Sequence, residues 1–306
     1  DDKSFLGGSS IYQESETYKI NDINSNKWLA KEVESLKNYS NLIIKNRTSL
    51  AAFHGYNYLL ARENLTDHLS INDRKDKIRQ RLWKIRAKKV IIATGAIERP
   101  LIFNNNDRPG ILLSNSINKY LDYYGVACGK NIILFTNNDS AYETAISLHK
   151  KGIKNLIVDL RKNSQSEIAK QAQNLGIKIY FNHVVTNTFG YRRINSVELM
   201  ELSDDGNTTI GNKIKLNCDC LGISGGWTPM VHMHTQSGGK LDFKNDDQVF
   251  IPKENDNDQI SVGACNGDFD LETIIDKTVN KINIFLEINN NDYKNTKVDC
   301  SIEKEK

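Results

Sequence analysis

Long hydrophobic runs are missing from this sequence. No apolar stretch approaches the ~18 residues that a bilayer-spanning helix needs, and no leader of charged, apolar and small residues opens the chain. Cysteine is scarce: five thiols, an odd number without regular spacing, make a disulfide framework a poor reading and fit a reducing compartment. Excess charge of one sign is also missing. The 41 basic and 38 acidic residues intermix to leave +3, a balance that points to neither nucleic acid nor a membrane surface. These absences lead to the expectation of a soluble, cytoplasmic chain, and 306 residues are enough for roughly two domains with a real core.

What is present centres on residues 88–110, KKVIIATGAIERPLIFNNNDRPG. Val90, Ile91, Ile92 and Ala93 form an apolar run of the kind that makes a strand buried on both faces. It stops at Thr94-Gly95-Ala96, where no large side chain blocks the close approach of a ligand such as a dinucleotide. Beyond it come Glu98, Arg99, Asp107 and Arg108, interrupted by Pro100 and Pro109, so the chain leaves the strand stiff, polar and unsuited to a helix.

The opening residues fit the same ligand. In a dinucleotide-binding unit an acid ends the second strand and hydrogen-bonds the ribose, about 20 residues after a glycine-rich turn. Asp1 or Asp2, followed by Gly7 and Gly8, matches that place, and the turn would then lie upstream of residue 1; a frayed acidic terminus is the plain alternative. Disulfide reductases continue from here into a redox cysteine pair, whereas this chain has Ser9-Ser10-Ile11-Tyr12, so disulfide exchange is not expected. Towards the other end, residues 259–264 read as a strand ending in Gly263-Ala264, Gly267-Asp268 as a turn and residues 271–286 as a helix. Its N-terminus would face the ligand while Asp268 accepts from a hydroxyl. The same residues also read as a simple turn before a helix.

Between these ends, Ser25 can cap a helix through about Leu36, and residues 42–44, 50–53 and 56–61 read as strands, with His54 a solvated turn residue. Residues 64–77 are a polar excursion. From Gly129 to Ile223 the order is β-α-β-α-β, with strands at 131–135, 156–159 and 177–181 and helices at 139–151 and 164–175, which predicts a parallel sheet with right-handed crossovers. Antiparallel strands at 184–189, 194–202 and 213–216 follow, then a closing strand at 220–223. At the first turn of this unit Thr136, Asn138 and Ala141 stand where the dinucleotide fingerprint has glycine, glycine and glycine or alanine. Two Cβ atoms would meet the pyrophosphate, so the fold is expected to persist without tight dinucleotide binding, and Asp139 and Ser140 to serve as a helix cap. Cys218-x-Cys220 and His232-x-His234 carry zinc-type ligands at the wrong spacing, since alternate strand residues face opposite sides. No metal site and no catalytic residue is assigned.

The segments ATGAIERP, NDRPG, TNNDSAY (136–142), SGGW (224–227) and HTQSGG (234–239), in that order, resemble the alpha subunit of heterotetrameric sarcosine oxidase and its relative in N-methylglutamate dehydrogenase, from Gly7 to about Lys277. The resemblance implies an α/β fold: two Rossmann-like dinucleotide-binding domains of the disulfide-reductase-like flavoprotein (FAD/NAD(P)-binding) type, the second inserted in the first. Residues 1–128 and 224–288 would form the first, lacking its N-terminal Gly-rich βα unit, residues 129–223 the second, and 289–306 a frayed tail of an internal fragment. The SGGW turn would lie at the domain junction, with Trp227 over the nucleotide end of the sheet.

The same resemblance implies oxidation of sarcosine or a related N-methyl amine in a multi-subunit flavoenzyme. FAD in the beta subunit would take the electrons, FMN at a subunit interface would pass them towards oxygen, and NAD (or FAD) would sit in the first domain. Tetrahydrofolate would bind only in a C-terminal region that this sequence lacks, and the partners would be beta, gamma and delta-type subunits. Expected cofactor-binding residues are Asp1, Asp2, Gly7, Gly8, Ala93, Thr94, Gly95, Ala96, Gly263 and Asp268. Arg99 and Arg108 are candidates to hold phosphate or reduced flavin, and read equally well as solvated or salt-bridged arginines. The chain alone is not expected to oxidise amines. A non-catalytic nucleotide-binding assembly scaffold and a stand-alone NAD(P)H-dependent flavin oxidoreductase are the alternatives, and the altered turn at 136–141 speaks against the last.

Overall fold

A computed structural model describes residues 1–8, 18–253, 258–288 and 298–300. The readings on Ser9 to Tyr12 and on most of the 289–306 tail lie outside the described residues. Within that tail Val298–Cys300 is not frayed but an edge strand of a small three-stranded sheet, paired with Tyr18–Ile20. The chain folds as two compact units, one drawn from Asp1–Ile11, Lys19–Ile97 and Thr228–Asp299, the other built mainly on Glu98–Trp227. Among the described residues no helix is long and apolar enough to cross a membrane.

In the first unit two short strands, Tyr18–Ile20 and Ile23–Asn24, lead into helix α1 (Ser25–Ser35), whose cap is Asn24 rather than Ser25: the Asn24 side chain accepts from the Asn26 amide, and Ser25 is the first helical residue. Strands β1 (Thr48–His54), β2 (Tyr58–Asn64) and β3 (Gln80–Arg86) make an antiparallel sheet in that order. Residues 42–44 are not a strand. Extended apolar residues become one only where a neighbouring backbone pairs with them, and among the described residues none does, so Leu42, Ile43 and Ile44 are exposed. Strand β4 (Val90–Ile92) is half-covered, not buried on both faces: Ile92 is 4% exposed and joins Phe53, Leu59 and Cys265 in the core, whereas Ile91 points to the opposite side and is 38% exposed.

The second unit holds β5 (Ile111–Leu113), α2 (Ser114–Asp122), β6 (Asn131–Thr136), α3 (Ser140–Lys150), β7 (Lys154–Asp159), α4 (Glu167–Asn174) and β8 (Lys178–Phe181). After them come β9 (His183–Phe189), β10 (Ser196–Leu202), β11 (Thr209–Asn217) and β12 (Cys220–Ser224). Five strands form a parallel sheet in the order β8-β7-β6-β12-β5, and β9, β10 and β11 an antiparallel one. Because side chains alternate along β6, Ile132 and Leu134 pack against helix residues Ile117, Tyr142, Leu148 and Ile168, while Ile133 and Phe135 pack against Val185, Val197 and Leu199 of the antiparallel sheet.

Residues 98–128 differ from expectation. They group with the second unit, because β5 pairs in parallel with β12 and the helix after it bonds to α3 through Ser114–Thr144 and Asp122–Ser147 hydrogen bonds. The chain then returns to the first unit, where β13 (Gln259–Ser261) pairs in parallel with β4, Ser261 opposite Ile92. This strand is shorter than the sequence predicts, because Gly263 turns the backbone at φ 70°. Helix α5 (Leu271–Leu286) follows, capped by the Asp270 carboxylate on the Thr273 amide at 3.0 Å.

Candidate nucleotide site

The two parallel strands of the first unit end side by side: the Val262 amide donates to the Ile92 carbonyl at 2.9 Å. Past that point both chains run in small residues. Ala93 and Thr94 are exposed, and Gly95 turns at φ 76°. The turn is held by a backbone that sequence reasoning missed, with the Met230 amide donating to the Gly95 carbonyl and the Thr94 hydroxyl to the Met230 carbonyl, both at 2.9 Å. Only tertiary structure could reveal Met230, since it contributes main-chain groups that any residue has. A Cβ built on Gly95 meets no atom within 4 Å, so the strand tip opens onto free space.

Asp268 occupies a different situation from the one expected. It is 8% exposed, its Oδ1 accepts from the Lys277 ammonium at 2.6 Å, and its Oδ2 accepts from the Asn266 side chain at 3.1 Å. The carboxylate organises the turn before α5, and Asp270 occupies an amide of the helix N-terminus. The amino-terminal candidates lie beside β1: the Thr48 amide donates to the Asp1 carbonyl at 2.8 Å and the Arg47 amide to the Lys3 carbonyl at 2.7 Å. Asp1 and Asp2 are exposed, Asp2 pairing with Lys3 at 2.9 Å, and a Cβ on Gly8 would stand in open space. Ala93, Thr94, Gly95, Ala96, Gly263 and Asp268 are therefore gathered at the two strand ends, whereas Asp1, Asp2, Gly7 and Gly8 form a second group, with no described hydrogen bond linking the two.

Arg99 and Arg108 belong to the other unit and are used there. The Arg99 backbone bonds Gly225 and Gly226, and a Cβ on Gly226 would meet its Nη2 at 2.9 Å. Arg108 donates to the Thr188 hydroxyl and to the Gly190 carbonyl.

The turn of the second unit that corresponds to a phosphate loop is closed by its own side chains. The Thr136 hydroxyl donates to the Asn138 carbonyl and accepts from the Asn138 amide. The Asn138 side chain donates to the Ser224 carbonyl at 3.2 Å and accepts from the Ser140 amide at 3.0 Å. Asp139, expected to cap α3, makes no such bond; it pairs with Arg161 at 2.6 Å, and Asn138 captures the first helical amide instead. At the end of β7, where a ribose acid would stand, Asp159 is wholly buried and pairs with Arg161 at 2.8 Å and with the Tyr142 hydroxyl at 2.7 Å. Burial alone would lower the Arg161 pKa, but the bonds and charge of Asp159, then Asp139, raise it above the ordinary value. This network was also missed, although an acid ending the second strand of a βαβ unit is a recognisable sign. The thiols of Cys218 and Cys220 are pushed up to about 12 by burial, and the His234 Nε2 is engaged by the Lys240 carbonyl.

One buried acid lies near the start of α2. Glu98 is 4% exposed, and burial pushes its pKa up to about 7 against the lowering effect of Ser224 and the Asn115 amide, which donates to it at 2.8 Å. With the folded value above the ordinary 4.5, the neutral acid is the favoured form. Its stabilisation is complete below pH 4.5 and is lost as pH rises through about 7, roughly 3 kcal/mol in all. Urea unfolding from pH 4 to 8 should therefore show wild type losing stability relative to Glu98→Gln across that range. Parallel curves would show that Glu98 titrates normally.

These two units, an interrupted one whose parallel strands end in small residues and a parallel-sheet unit inserted into it, define the two-domain α/β class of the FAD/NAD(P)-binding, disulfide-reductase-like flavoproteins. The solved structure of T. acidophilum thioredoxin reductase superimposes with a TM-score of 0.65 over 96% of this chain and 88% of its own, at 15% identity. L-proline dehydrogenase from P. horikoshii gives 0.59 over 86% and 44%, at 21% identity. No protein-family model matches the chain. In sequence, the chain is a homologue of sarcosine oxidase subunit alpha. It is 33% identical to that of Corynebacterium sp. (strain U-96) over 267 residues, 87% of this chain, and 29% identical to that of Rhizobium meliloti (strain 1021) over 252 residues. The chain spans 27% of the length of the Corynebacterium protein and 24% of the Rhizobium one.

Proposed function

We propose that this chain is the nucleotide-binding part of a sarcosine oxidase-type alpha subunit. It supports oxidative demethylation of sarcosine or a related N-methyl amine within a multi-subunit flavoenzyme. The contrast between the two units carries this reading: the strand end at Gly95 opens onto free space and a Cβ at Gly263 would touch only Ile274, at 3.7 Å, whereas the corresponding turn at Thr136 is filled by its own hydrogen bonds. Ala93, Thr94, Gly95 and Gly263 would hold NAD or FAD by close backbone approach, and the bound dinucleotide would supply a redox or anchoring group. FMN at an interface, FAD in a beta-type partner, further gamma and delta-type subunits and a cytoplasmic location complete the proposal.

The relatives' shared name supports the substrate class, and the absence of a cysteine pair after Gly8 supports amine rather than disulfide chemistry. Isothermal titration of NAD and of FAD, together with co-expression with candidate partner subunits and an assay of N-methyl amine oxidation, tests it. Ala93→Trp, at an exposed position, should weaken dinucleotide binding at least ~10-fold, about 1.4 kcal/mol, while leaving the melting temperature unchanged. A dinucleotide lodged at residues 136–141, or unaltered affinity in Ala93→Trp, would refute the assignment.

A further inference from the structure

Strand β3 ends its sheet, and its outer edge is unusual in combining free backbone groups with unneutralised charge. The Leu65 amide bonds the Arg79 carbonyl and the Ala87 amide bonds the Asn57 carbonyl. With the register Tyr58 opposite Arg86 through Asn64 opposite Gln80, the odd-numbered residues of β3 turn their backbone groups towards β2. Gln80, Leu82, Lys84 and Arg86 turn theirs outward, and among the described residues no backbone bonds them.

Six of the seven residues of β3 are exposed, including Leu82 at 58% and Ile85 at 42%. The surrounding segment, RKDKIRQRLWKIRAKK at residues 74–89, contains Asp76 as its sole carboxylate. Arg79 and Arg81 are neutralised by Asp67 and Glu63, and Lys89 approaches Glu287 at 3.8 Å. Lys75, Lys77, Lys84, Arg86 and Lys88 have no ion pair among the described residues.

We propose that the outer edge of β3 docks an acidic, extended segment of a partner protein, which adds as a further strand. The edge supplies alternating N–H and C=O groups that an extended polypeptide matches, whereas a DNA backbone offers acceptors only and an RNA backbone adds only hydroxyl donors without the peptide spacing. The residues with free backbone groups include Lys84 and Arg86, so carboxylates at alternate positions of the incoming strand meet these two cations, and its apolar positions meet Ile85 and Trp83 on the other face. Edge cations ordinarily keep strands apart, and they would set two copies of this chain against each other; opposite charge on the partner turns the same feature into selectivity.

The test uses the protein with a fluorescein-labelled nine-residue peptide that alternates glutamate and valine. Anisotropy should show saturable binding, and amide exchange by NMR should slow at least ~10-fold at Leu82, Lys84 and Arg86 when the peptide is present. The double variant Lys84→Glu/Arg86→Glu, exposed and expected to melt as wild type does, should bind at least ~10-fold more weakly. The proposal is overturned by no binding, by equal affinity for a glutamine–valine peptide or for the double variant, or by binding without protection of those three amides. Stronger protection of them by a nine-residue oligothymidylate, or dimerisation without peptide, overturns it as well.

Discussion

Arg161→Met is expected to destabilise the second unit by about 3 to 5 kcal/mol, the cost of leaving buried charge unpaired. The Asp159 side chain has no exposed surface and that of Asp139 9%, and one guanidinium reaches both, at 2.8 and 2.6 Å. Methionine keeps the bulk but removes the guanidinium, leaving only neutral donors, among them the residue-161 amide on Asp159 and the Ser164 hydroxyl on Asp139, so both carboxylates must take up protons, draw in water or unfold the strand ends. The Tyr142 hydroxyl cannot compensate, because it supplies one hydrogen bond and no charge, and burial, then the charge of Asp159, already raises its pKa. Thermal and urea unfolding of the variant check the size of the loss. Arg161→Met/Asp159→Asn should recover part of it, since the second change removes the stranded charge. A loss below about 1 kcal/mol would mean that the network contributes no more than a surface ion pair.

Gly190→Ala should cost at least about 3 kcal/mol, from two sources that add. The residue sits at φ 140°, where a side chain is strained, and a Cβ there would lie 1.9 Å from the Arg193 carbonyl oxygen, a main-chain atom unable to swing aside. This turn joins β9 to β10, closed by the Asn195 amide on the Phe189 carbonyl at 2.9 Å. Relieving the clash opens the turn and displaces the Gly190 carbonyl that accepts from Arg108. Amide exchange should quicken at Asn195 and in β10 before it does in β6. Wild-type melting and exchange in the variant would show that the turn relaxes freely.

Much of the second unit was legible because its signals are local. The β-α-β-α-β order follows from side-chain periods of two and 3.6, and the replaced glycines at Thr136 and Asn138 already show that bare backbone is missing. Less was legible at the edges of that unit. Residues 98–128 read as the end of the first unit, because nothing in Ile111–Leu113 says which strand will pair with it; the partner, β12, lies about a hundred residues on. Asp139 looked like a cap, yet a buried carboxylate beside a half-buried guanidinium is held there by charge. Asp268 looked like a ligand acceptor, and Lys277, two turns into the next helix, engages it.

Determined by the sequence alone were the apolar strand stopping at small residues, the altered fingerprint, the order of elements in the inserted unit and the kinship carried by its motifs. Each is written in neighbouring residues. Only the tertiary structure decided that β4 and β13 end together, that Met230 holds the Gly95 turn, and that Arg161 joins Asp139 to Asp159. The reason is physical: buried hydrogen-bonding and charged groups must find partners, and the chain meets that demand with residues distant in sequence as well as near ones.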